Sequence, residues 1–331
     1  MMLRVLYLFL LTVFALVSGC KRDAGPEAKV IRGIVLLSAH GERPYEMAQK
    51  QNLLRVIGMN TEVNLLTHDA AGSARTQVEQ FGKAMAEKPL AILVTPVDGA
   101  ALFDQVNAAV QAGVLVIGLG EKASAMPCST VLLCDQRELG RLAGELTVNA
   151  LTRLAKDEGK PEVTGRVVEI RGDELGELST PRHEGFTEAL NKAPGVVVVH
   201  DAPGAWTKLG GKERTLEAIK LQRSFDVLYA HNDAMALGAG EAIGEQRSNV
   251  LLIGTDGFLG EEGGLTLVSQ GDLDGSIYQP ILVDMAWRII SRRLTEPAFT
   301  LKPTYRLAPT LITPKNASDL MRDGMPPVPE L

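Results

Sequence analysis

The motifs that assign a sequence to the common enzyme classes are missing from these 331 residues. There is no G-x-S-x-G nucleophile elbow, no H-E-x-x-H zinc pair and no C-x-x-C pair. The five histidines show no pair at metal-ligand spacing. No block of like charges stands out, and a net charge of −6 gives no reason to expect a nucleic-acid partner. These absences argue against a hydrolase, a metal centre and a nucleic-acid-binding protein.

The N-terminal residues form an export signal. Arg4 precedes an apolar run over residues 5–17, and small residues then lead to Cys20. The run is too short for a comfortable membrane span, so residues 1–19 are predicted to be a secretory signal peptide. Its ending, "LVSGC", resembles the lipobox of bacterial lipoproteins, which implies cleavage before Cys20 and acylation of that residue. An ordinary signal peptide with an incidental cysteine is the alternative, and the polar residues 20–29 are predicted to be a tether.

Cysteine is scarce in the exported part of the chain, where Cys128 and Cys134 follow Cys20. An exported protein enters an oxidising compartment, so a disulfide between these two is one interpretation. The other is that both are small apolar fillers, because strand geometry rarely brings residues i and i+6 together.

Residues 30–279 alternate between apolar runs rich in Val, Ile and Leu and amphipathic helical patterns. Continuous apolar runs of this kind are typical of parallel strands that helices cover on both faces. The predicted strands are 30–37, 61–68, 90–95, 114–119, 129–134, 166–172, 195–201, 225–231, 249–255 and 273–279. The pattern predicts an α/β protein with doubly wound parallel sheets.

This many βα units exceed one compact open sheet, so we predict two Rossmann-like domains joined by a hinge with crossing segments. The first comprises residues 30–134 with about 280–297, and the second comprises residues 135–279 with about 298–315. Residues 316–331 are predicted to be a C-terminal tail. Ligands of open parallel sheets bind at the carboxyl ends of the strands, and in two domains these ends can face one another across a cleft.

One stretch, "GLGEKA" at 118–123, fits the G-x-G-x-x-A pattern of dinucleotide-binding folds. It follows the fourth predicted strand rather than the first, and no clear helical pattern comes after it. We therefore expect neither a nicotinamide cofactor nor another cofactor or bound metal.

Polar and aromatic side chains follow the carboxyl ends of the predicted strands. The candidate ligand-binding residues are Glu42, Arg43, Tyr45, Thr95, Asp135, Arg182, Trp206, Asn232, Asp256 and Gln279. Carboxylates and amides bind hydroxyl groups, an arginine offers a planar fork, and aromatic faces match the C–H face of a sugar ring. The set therefore suits a hydroxyl-rich ligand. For Asn232 and Asp256 a structural role competes evenly, and Asp233 stands where the N-cap of a helix belongs.

Four segments that contain these residues resemble one family. "HNDAMALGAGEAI", "VLLIGTDG", "GSIYQ" and "PRHEGF" are similar to segments of the type I periplasmic solute-binding proteins of the ribose/galactose class, and the likeness extends over residues 31–315. Members of that class are receptors of sugar ABC transporters. The resemblance implies that Asn232, Asp256, Gln279 and Arg182 contact a sugar.

Further segments extend the resemblance and mark where it departs. "CDQRELGRLAGE" places Asp135 at the hinge and cleft, "LVTPVD" places Thr95 near the ligand, and Trp206 falls where an aromatic ring often stacks on the sugar. Gly120 and Glu121 stand where the family often has Asp-Arg, and the first loop reads "ERPYE" instead of a polar-Asn-Pro-aromatic-aromatic run. These departures alter the expected sugar clamp and leave the identity of the ligand open.

Together, these features predict a lipid-anchored, monomeric receptor outside the cytoplasm, without enzymatic activity. Its two domains would close on a small polar ligand, in the first place a monosaccharide or related polyol, and deliver it to an ABC transporter permease. One alternative is a sensory lipoprotein that reports its ligand to a membrane kinase or chemoreceptor. Another is an exported α/β hydrolase, although the missing catalytic constellation argues against it. Transcription repressors share the fold but begin with a DNA-binding helix-turn-helix.

Overall fold

The computed structural model describes residues 32–58 and 63–325. The predicted signal peptide, the tether and Cys20 lie outside the described residues, as do residues 326–331 of the predicted tail. No helix within the described ranges is both long and apolar enough to cross a bilayer.

Two six-stranded sheets organise the described residues. The strands are β1 (Arg32–Ser38), β2 (Val63–Asp69), β3 (Ala91–Val94), β4 (Leu115–Leu119), β5 (Thr130–Cys134), β6 (Gly165–Arg171), β7 (Val196–Pro203), β8 (Val227–Ala230), β9 (Leu251–Asp256), β10 (Gly275–Tyr278), β11 (Thr304–Leu307) and β12 (Thr310–Ile312). The first sheet has the order β11-β5-β4-β3-β1-β2, and the second has the order β12-β10-β9-β8-β6-β7. Strand β12 pairs antiparallel with β10, and the neighbours in the rest of both sheets are parallel. The predicted α/β class with two doubly wound sheets is confirmed.

Helices cover both faces of each sheet. They are α1 (Pro44–Gly58), α2 (Ala74–Ala86), α3 (Phe103–Gln111), α4 (Gln136–Asp157), α5 (Ser179–Leu190), α6 (Lys208–Gln222), α7 (Asp233–Ile243), α8 (Gly264–Gln270), α9 (Leu282–Thr295) and α10 (Ala317–Asp323). Val35 of β1 belongs to the same apolar cluster as Phe81 of α2. Ile34, the residue directly before Val35, belongs to the cluster that contains residues of α1 and α9. Adjacent residues of one strand thus bury against helices on opposite sides, as the period of two requires.

One of the two C-terminal strands differs from the prediction in the sheet to which it belongs. Residues 298–315 were expected in the second domain, but β11 pairs parallel with β5 at the edge of the first sheet. The reason is the alternation of its residues: Tyr305 and Leu307 are buried, whereas Thr304 and Arg306 are exposed. Only β12 joins the second sheet. The division of the two sheets into separately moving domains stays a prediction.

The two described cysteines are free thiols. Cys134 is buried at the end of β5, and Cys128 is half-buried against the apolar cluster of the first sheet. Burial raises the pKa of each thiol to about 12. The structure therefore confirms the second interpretation, in which both cysteines are small apolar residues without a disulfide.

Helices α4 and α5 approach so closely that glycines form their contact. A Cβ added to Gly140 would lie 1.8 Å from the carbonyl oxygen of Arg182, and one added to Gly185 would lie 2.0 Å from the carbonyl oxygen of Arg137. Real Cβ atoms do not come this near to backbone atoms, so neither position tolerates a side chain without a shift. The close approach fixes the backbone from which Arg182 projects.

Gly140→Ala should therefore lower the free energy of unfolding by about 1–3 kcal/mol, the usual cost of overpacking. Gly82→Ala is the matched control, because Gly82 lies in α2 with nothing within 4 Å of an added Cβ. The control should raise stability by about 0.5–1 kcal/mol, since alanine is the better helix former. Urea unfolding of both variants checks this, and a stabilised Gly140→Ala would contradict the close packing.

Candidate ligand-binding cleft

A cavity of about 330 Å³ lies where the carboxyl ends of the two sheets meet. Its walls come from the segments after β1, β3 and β4 of the first sheet and from the loop after β6 of the second. The lining residues are Ala39, His40, Arg43, Glu46, Thr95, Pro96, Val97, Leu119, Gly120, Glu121, Lys122, Asp173, Leu175, Gly176, Glu177 and Leu178. A groove of about 1090 Å³ shares Val97, Glu121, Lys122, Gly176 and Glu177 with it. This is the place where open parallel sheets bind ligands.

The first sheet contributes two predicted residues, Arg43 and Thr95, to this wall. Beside them lies Glu46, which was not predicted as a site residue. Its carboxylate accepts hydrogen bonds from the backbone N of His40 at 3.2 and 3.3 Å. Burial raises the pKa of Glu46 to about 7, although the His40 bond and the Arg43 charge act against that rise.

Three other predicted residues make contacts within the chain, and their predicted contact with a ligand stays a prediction. Asp135 is exposed and caps α4, where its carboxylate accepts from two backbone amides of the first turn. The Tyr45 hydroxyl donates to the carbonyl of Pro280 at 2.6 Å. Glu42 has a side chain that is 65% exposed and lies 3.8 Å from His40 Nδ1. Arg43 and Thr95 line the smaller cavity, and the other eight predicted residues line neither of the two cavities.

Arg182 of α5 is a buried cation held by acceptors from three directions. Its Nε donates to Gln136 Oε1 at 2.7 Å, its Nη2 donates to Gln279 Oε1 at 2.7 Å, and its Nη1 donates to the carbonyl of His231. The carboxylate of Asp256 lies 3.9 Å from Nη2. A guanidinium has five N–H donors, so the fork is oriented and still has donors for a ligand.

Asp256 ends β9 in a strained conformation, with φ +107° in a region that favours glycine. Burial raises the pKa of its carboxyl well above the usual range, and the charge of Arg182 opposes that rise. Such strain at the end of a strand is retained where a side chain must point in one direction. Arg182, Asp256 and Gln279 are thus brought together, as predicted from the sequence, and their contact with a ligand stays a prediction.

The junction of β8 and α7 corrects one predicted role. The N-cap of α7 is Asn232 rather than Asp233, because the extended backbone belongs to Asn232 and Asp233 is already helical. Asn232 Oδ1 accepts from the backbone N of Met235 at 2.8 Å, and its Nδ2 donates to the carbonyl of Trp206 at 3.0 Å. An amide has two N–H donors and two acceptor lone pairs, so one donor and one lone pair of Asn232 remain for a further partner. The predicted ligand contact of Asn232 stays a prediction.

Asp233 connects three elements of the second sheet. Its buried carboxylate accepts from the backbone N of Gly257 at 2.6 Å, from the backbone N of Gly264 at 2.8 Å and from Ser276 Oγ at 2.6 Å. Burial raises its pKa to about 7, and these three donors limit the rise. Because Gly257 directly follows Asp256, Asp233 also fixes the backbone that presents Asp256.

Trp206 lies close to two arginines, one that follows β1 of the first sheet and one in α5. The Cζ atoms of Arg182 and Arg43 are 5.3 and 5.9 Å from its ring centre, within the range of a cation–π contact. Its Nε1 donates to Asp173 Oδ2 at 2.6 Å. A Cβ added to Gly172 would lie 2.0 Å from the ring, so only glycine leaves room for the indole there. The ring is fixed beside the cavity wall, and its predicted stacking on a sugar stays a prediction.

Residues 34–288 match the sequence profile of the family described as the periplasmic binding protein domain. The chain belongs to this family. Its members are binding proteins rather than enzymes, and membership implies a location outside the cytoplasm.

Curated relatives of this periplasmic binding protein carry sugar names. The galactofuranose-binding protein YtfQ of Escherichia coli is 30% identical over 149 residues, which cover 44% of this chain and 43% of the relative. The ribose import binding protein RbsB of Bacillus subtilis is 27% identical over 190 residues, which cover 57% of this chain and 58% of the relative. The chain thus spans about half the length of the curated relatives it matches.

Solved structures match over most of the chain. The Caulobacter myo-inositol binding protein bound to myo-inositol has a TM-score of 0.73 at 21% identity, with 90% of this chain and 98% of that chain covered. A periplasmic solute binding protein from Actinobacillus succinogenes with bound D-allose has a TM-score of 0.75 at 20% identity, with 87% and 99% covered. These likenesses show that the chain has the type I fold.

One buried network of this binding protein was missed by sequence reasoning. The carboxylate of Glu169, in β6, accepts from His183 Nδ1 at 2.8 Å and from His231 Nε2 at 3.0 Å. Burial alone would raise the pKa of Glu169, but these two hydrogen bonds bring it below its usual range. The bond to Glu169 raises the pKa of His183, whereas burial lowers that of His231. The lone acid inside the apolar strand "RVVEIRG" was the available signal.

Glu169, His183 and Asp201 also have the ligand types and the proximity of a metal site, because one ligand atom of each lies within 4.8 Å of the others. Both acids are already paired, however. Glu169 is bonded to His183, and Arg171 Nε lies 2.5 Å from Asp201 Oδ1. The cluster is therefore balanced without an ion.

Proposed function

We propose that this chain is an extracytoplasmic solute receptor that closes two lobes on a hydroxyl-rich ligand, a sugar or polyol. In this proposal it passes the ligand to the permease of an ABC transporter and works as a monomer, without turnover, anchored through acylated Cys20. The import name of a curated relative favours transport over the sensory alternative.

The observation that carries the proposal is the arrangement around Arg182. Its fork is held in place by Gln136 and Gln279, next to the buried carboxylate of Asp256. Oriented guanidinium, carboxylate and amide groups close to one another can hydrogen-bond to vicinal hydroxyl groups. Galactofuranose, ribose, myo-inositol and D-allose, which appear in the names of relatives and of structural neighbours, all present such groups.

The chain path supports a hinge between the two sheets. Within the described residues the chain leaves the first sheet after β5, returns between β10 and α9, and crosses again between β11 and β12. Three chain crossings between two sheets permit bending while limiting other motion. Closure would bring Arg43 and Thr95 towards the Arg182 side of the cleft.

A thermal-shift panel of monosaccharides, polyols, nucleosides and furanosides on the full chain tests this function. A cognate ligand at 100 times its Kd should raise the melting temperature by about 5 °C, since it stabilises the folded state by roughly 2.7 kcal/mol. Trimethylamine N-oxide, which stabilises by exclusion from the surface, is the control for non-specific effects. If no compound gave a saturable rise, the proposed function would be wrong.

A further inference from the structure

Glu121 occupies a position in the cleft where the resemblance leads one to expect a cation. It directly follows Gly120 at the carboxyl end of β4 and lines both cavities. Gly120 has φ +85°, so the chain turns at that residue in a conformation that favours glycine. The turn points the chain's first polar side chain after β4 towards the space between the sheets.

One oxygen of this carboxylate has no hydrogen-bond donor. Glu121 Oε1 is buried and accepts no hydrogen bond from the described residues. The nearby cations are engaged elsewhere: Arg182 bonds to neutral acceptors, and Lys122 Nζ donates to the carbonyl of Val97 at 3.0 Å. Burial raises the pKa of Glu121, and hydrogen bonds from its own backbone and from Gln136, together with the charge of Arg182, limit that rise. Buried acceptors in native proteins are nearly always satisfied, so the carboxylate of Glu121, which lines both cavities, retains the capacity to accept from a ligand donor.

The charge of the cavity wall indicates what kind of donor fits. The lining contains four carboxylates against two permanent cations, Arg43 and Lys122. Two of these acids already accept bonds, Glu46 from a backbone amide and Asp173 from the indole of Trp206. Glu121 is the acid of this wall with a buried oxygen that lacks a donor. A cationic group there would form a charge-assisted hydrogen bond and offset the excess of negative charge.

From this geometry we infer that the ligand carries an ammonium group as well as hydroxyl groups, and that Glu121 is the residue that binds the ammonium. The ligand is thus an amino sugar or an amino polyol. This inference rests on the proposed function, because it assigns one more group to the ligand of the same cleft.

Calorimetric titration with matched pairs tests the inference. The pairs are D-glucosamine with D-glucose, D-galactosamine with D-galactose, and scyllo-inosamine with scyllo-inositol. Within at least one pair the wild-type chain should bind the amine about tenfold more tightly than the hydroxyl compound, the usual factor for one charge-assisted bond. N-acetyl-D-glucosamine, which has the nitrogen without its charge, should lack this preference.

Two variants assign the preference to a residue. Glu121→Gln keeps the shape and removes the charge, so it should reduce the amine preference about tenfold. Glu79→Gln makes the same change on the exposed surface of α2, away from the residues that line both cavities, and should alter the preference less than about twofold. The comparison of amine with hydroxyl compounds uses the wild-type chain, so it remains valid even if a variant fails to fold.

The outcomes separate this inference from the proposed function. If hydroxyl compounds bind and their amines bind equally or more weakly, the inference is wrong and the receptor function stands. If the preference for the amine is unchanged in Glu121→Gln, the assignment to Glu121 is wrong. If no member of any pair binds and the wider sugar panel also fails, both proposals fall together.

Discussion

Asp233→Ala should lower the free energy of unfolding by about 3–5 kcal/mol, a loss at the upper end of single substitutions. The carboxylate accepts bonds from Gly257, Gly264 and Ser276, and it is buried. Removing it leaves three buried donors without acceptors, and each such group costs roughly 1–3 kcal/mol before relaxation. The site should suffer as well, because the turn that presents Asp256 loses its anchor.

Urea unfolding followed by circular dichroism measures this effect. Asp98→Ala is the matched control, since Asp98 also accepts two backbone hydrogen bonds but is exposed. The control should cost less than about 1 kcal/mol, because water replaces the lost acceptor. An Asp233→Ala variant as stable as Asp98→Ala would show that the buried carboxylate does not hold these elements together.

Arg182→Lys should weaken ligand binding about 100-fold, which corresponds to roughly 3 kcal/mol. Lysine keeps the charge but cannot bond to Gln136, His231 and Gln279 in one plane, so the cation is no longer oriented. Asp256→Asn should have a similar effect, because it removes the acidic group next to this fork. Calorimetric titration with the ligand found in the thermal-shift panel measures both losses.

Arg141→Lys is the control for Arg182→Lys. Arg141 lies on α4 and pairs with Glu138 and Glu145 on the same helix, away from the residues that line the cavity. Its substitution should leave affinity within about twofold of the wild type, since partly exposed pairs contribute little. Melting curves without ligand separate lost binding from lost folding. Full affinity in a folded Arg182→Lys protein would remove Arg182 from the site.

Much of the fold could be predicted because buried strands consist mainly of apolar residues, which are recognisable in the sequence. The strands of parallel sheets are covered on both faces, so "LAILVT" and "VLVIGL" appear as apolar runs in the sequence. Strand β11 has no such run, because only Tyr305 and Leu307 are buried in it. A four-residue edge strand of this kind is indistinguishable from a surface segment until its pairing with β5 is known.

The candidate site was predictable in its residue types and less so in their roles. Asn232 and Asp233 are adjacent polar residues, and the residue at which α7 begins decides their roles. Because α7 begins at Asp233, Asn232 is the N-cap and Asp233 connects other elements of the second sheet. Likewise, nothing in the sequence shows that Glu169 meets His231, because the two are brought together only by the pairing of β6 with β8. Local patterns fix which groups are polar, and strand order decides what each polar group contacts.

Trp206 provides the most direct measurement of the central claim, that the ligand binds beside Arg182 between the two sheets. The chain has two tryptophans, so in the Trp287→Phe variant the tryptophan fluorescence comes from Trp206 alone. A sugar or polyol that raises the melting temperature should change the emission of Trp206 in a saturable way, with the Kd that calorimetry gives. The same ligand binding with that affinity while the emission of Trp206 stays constant would contradict the account.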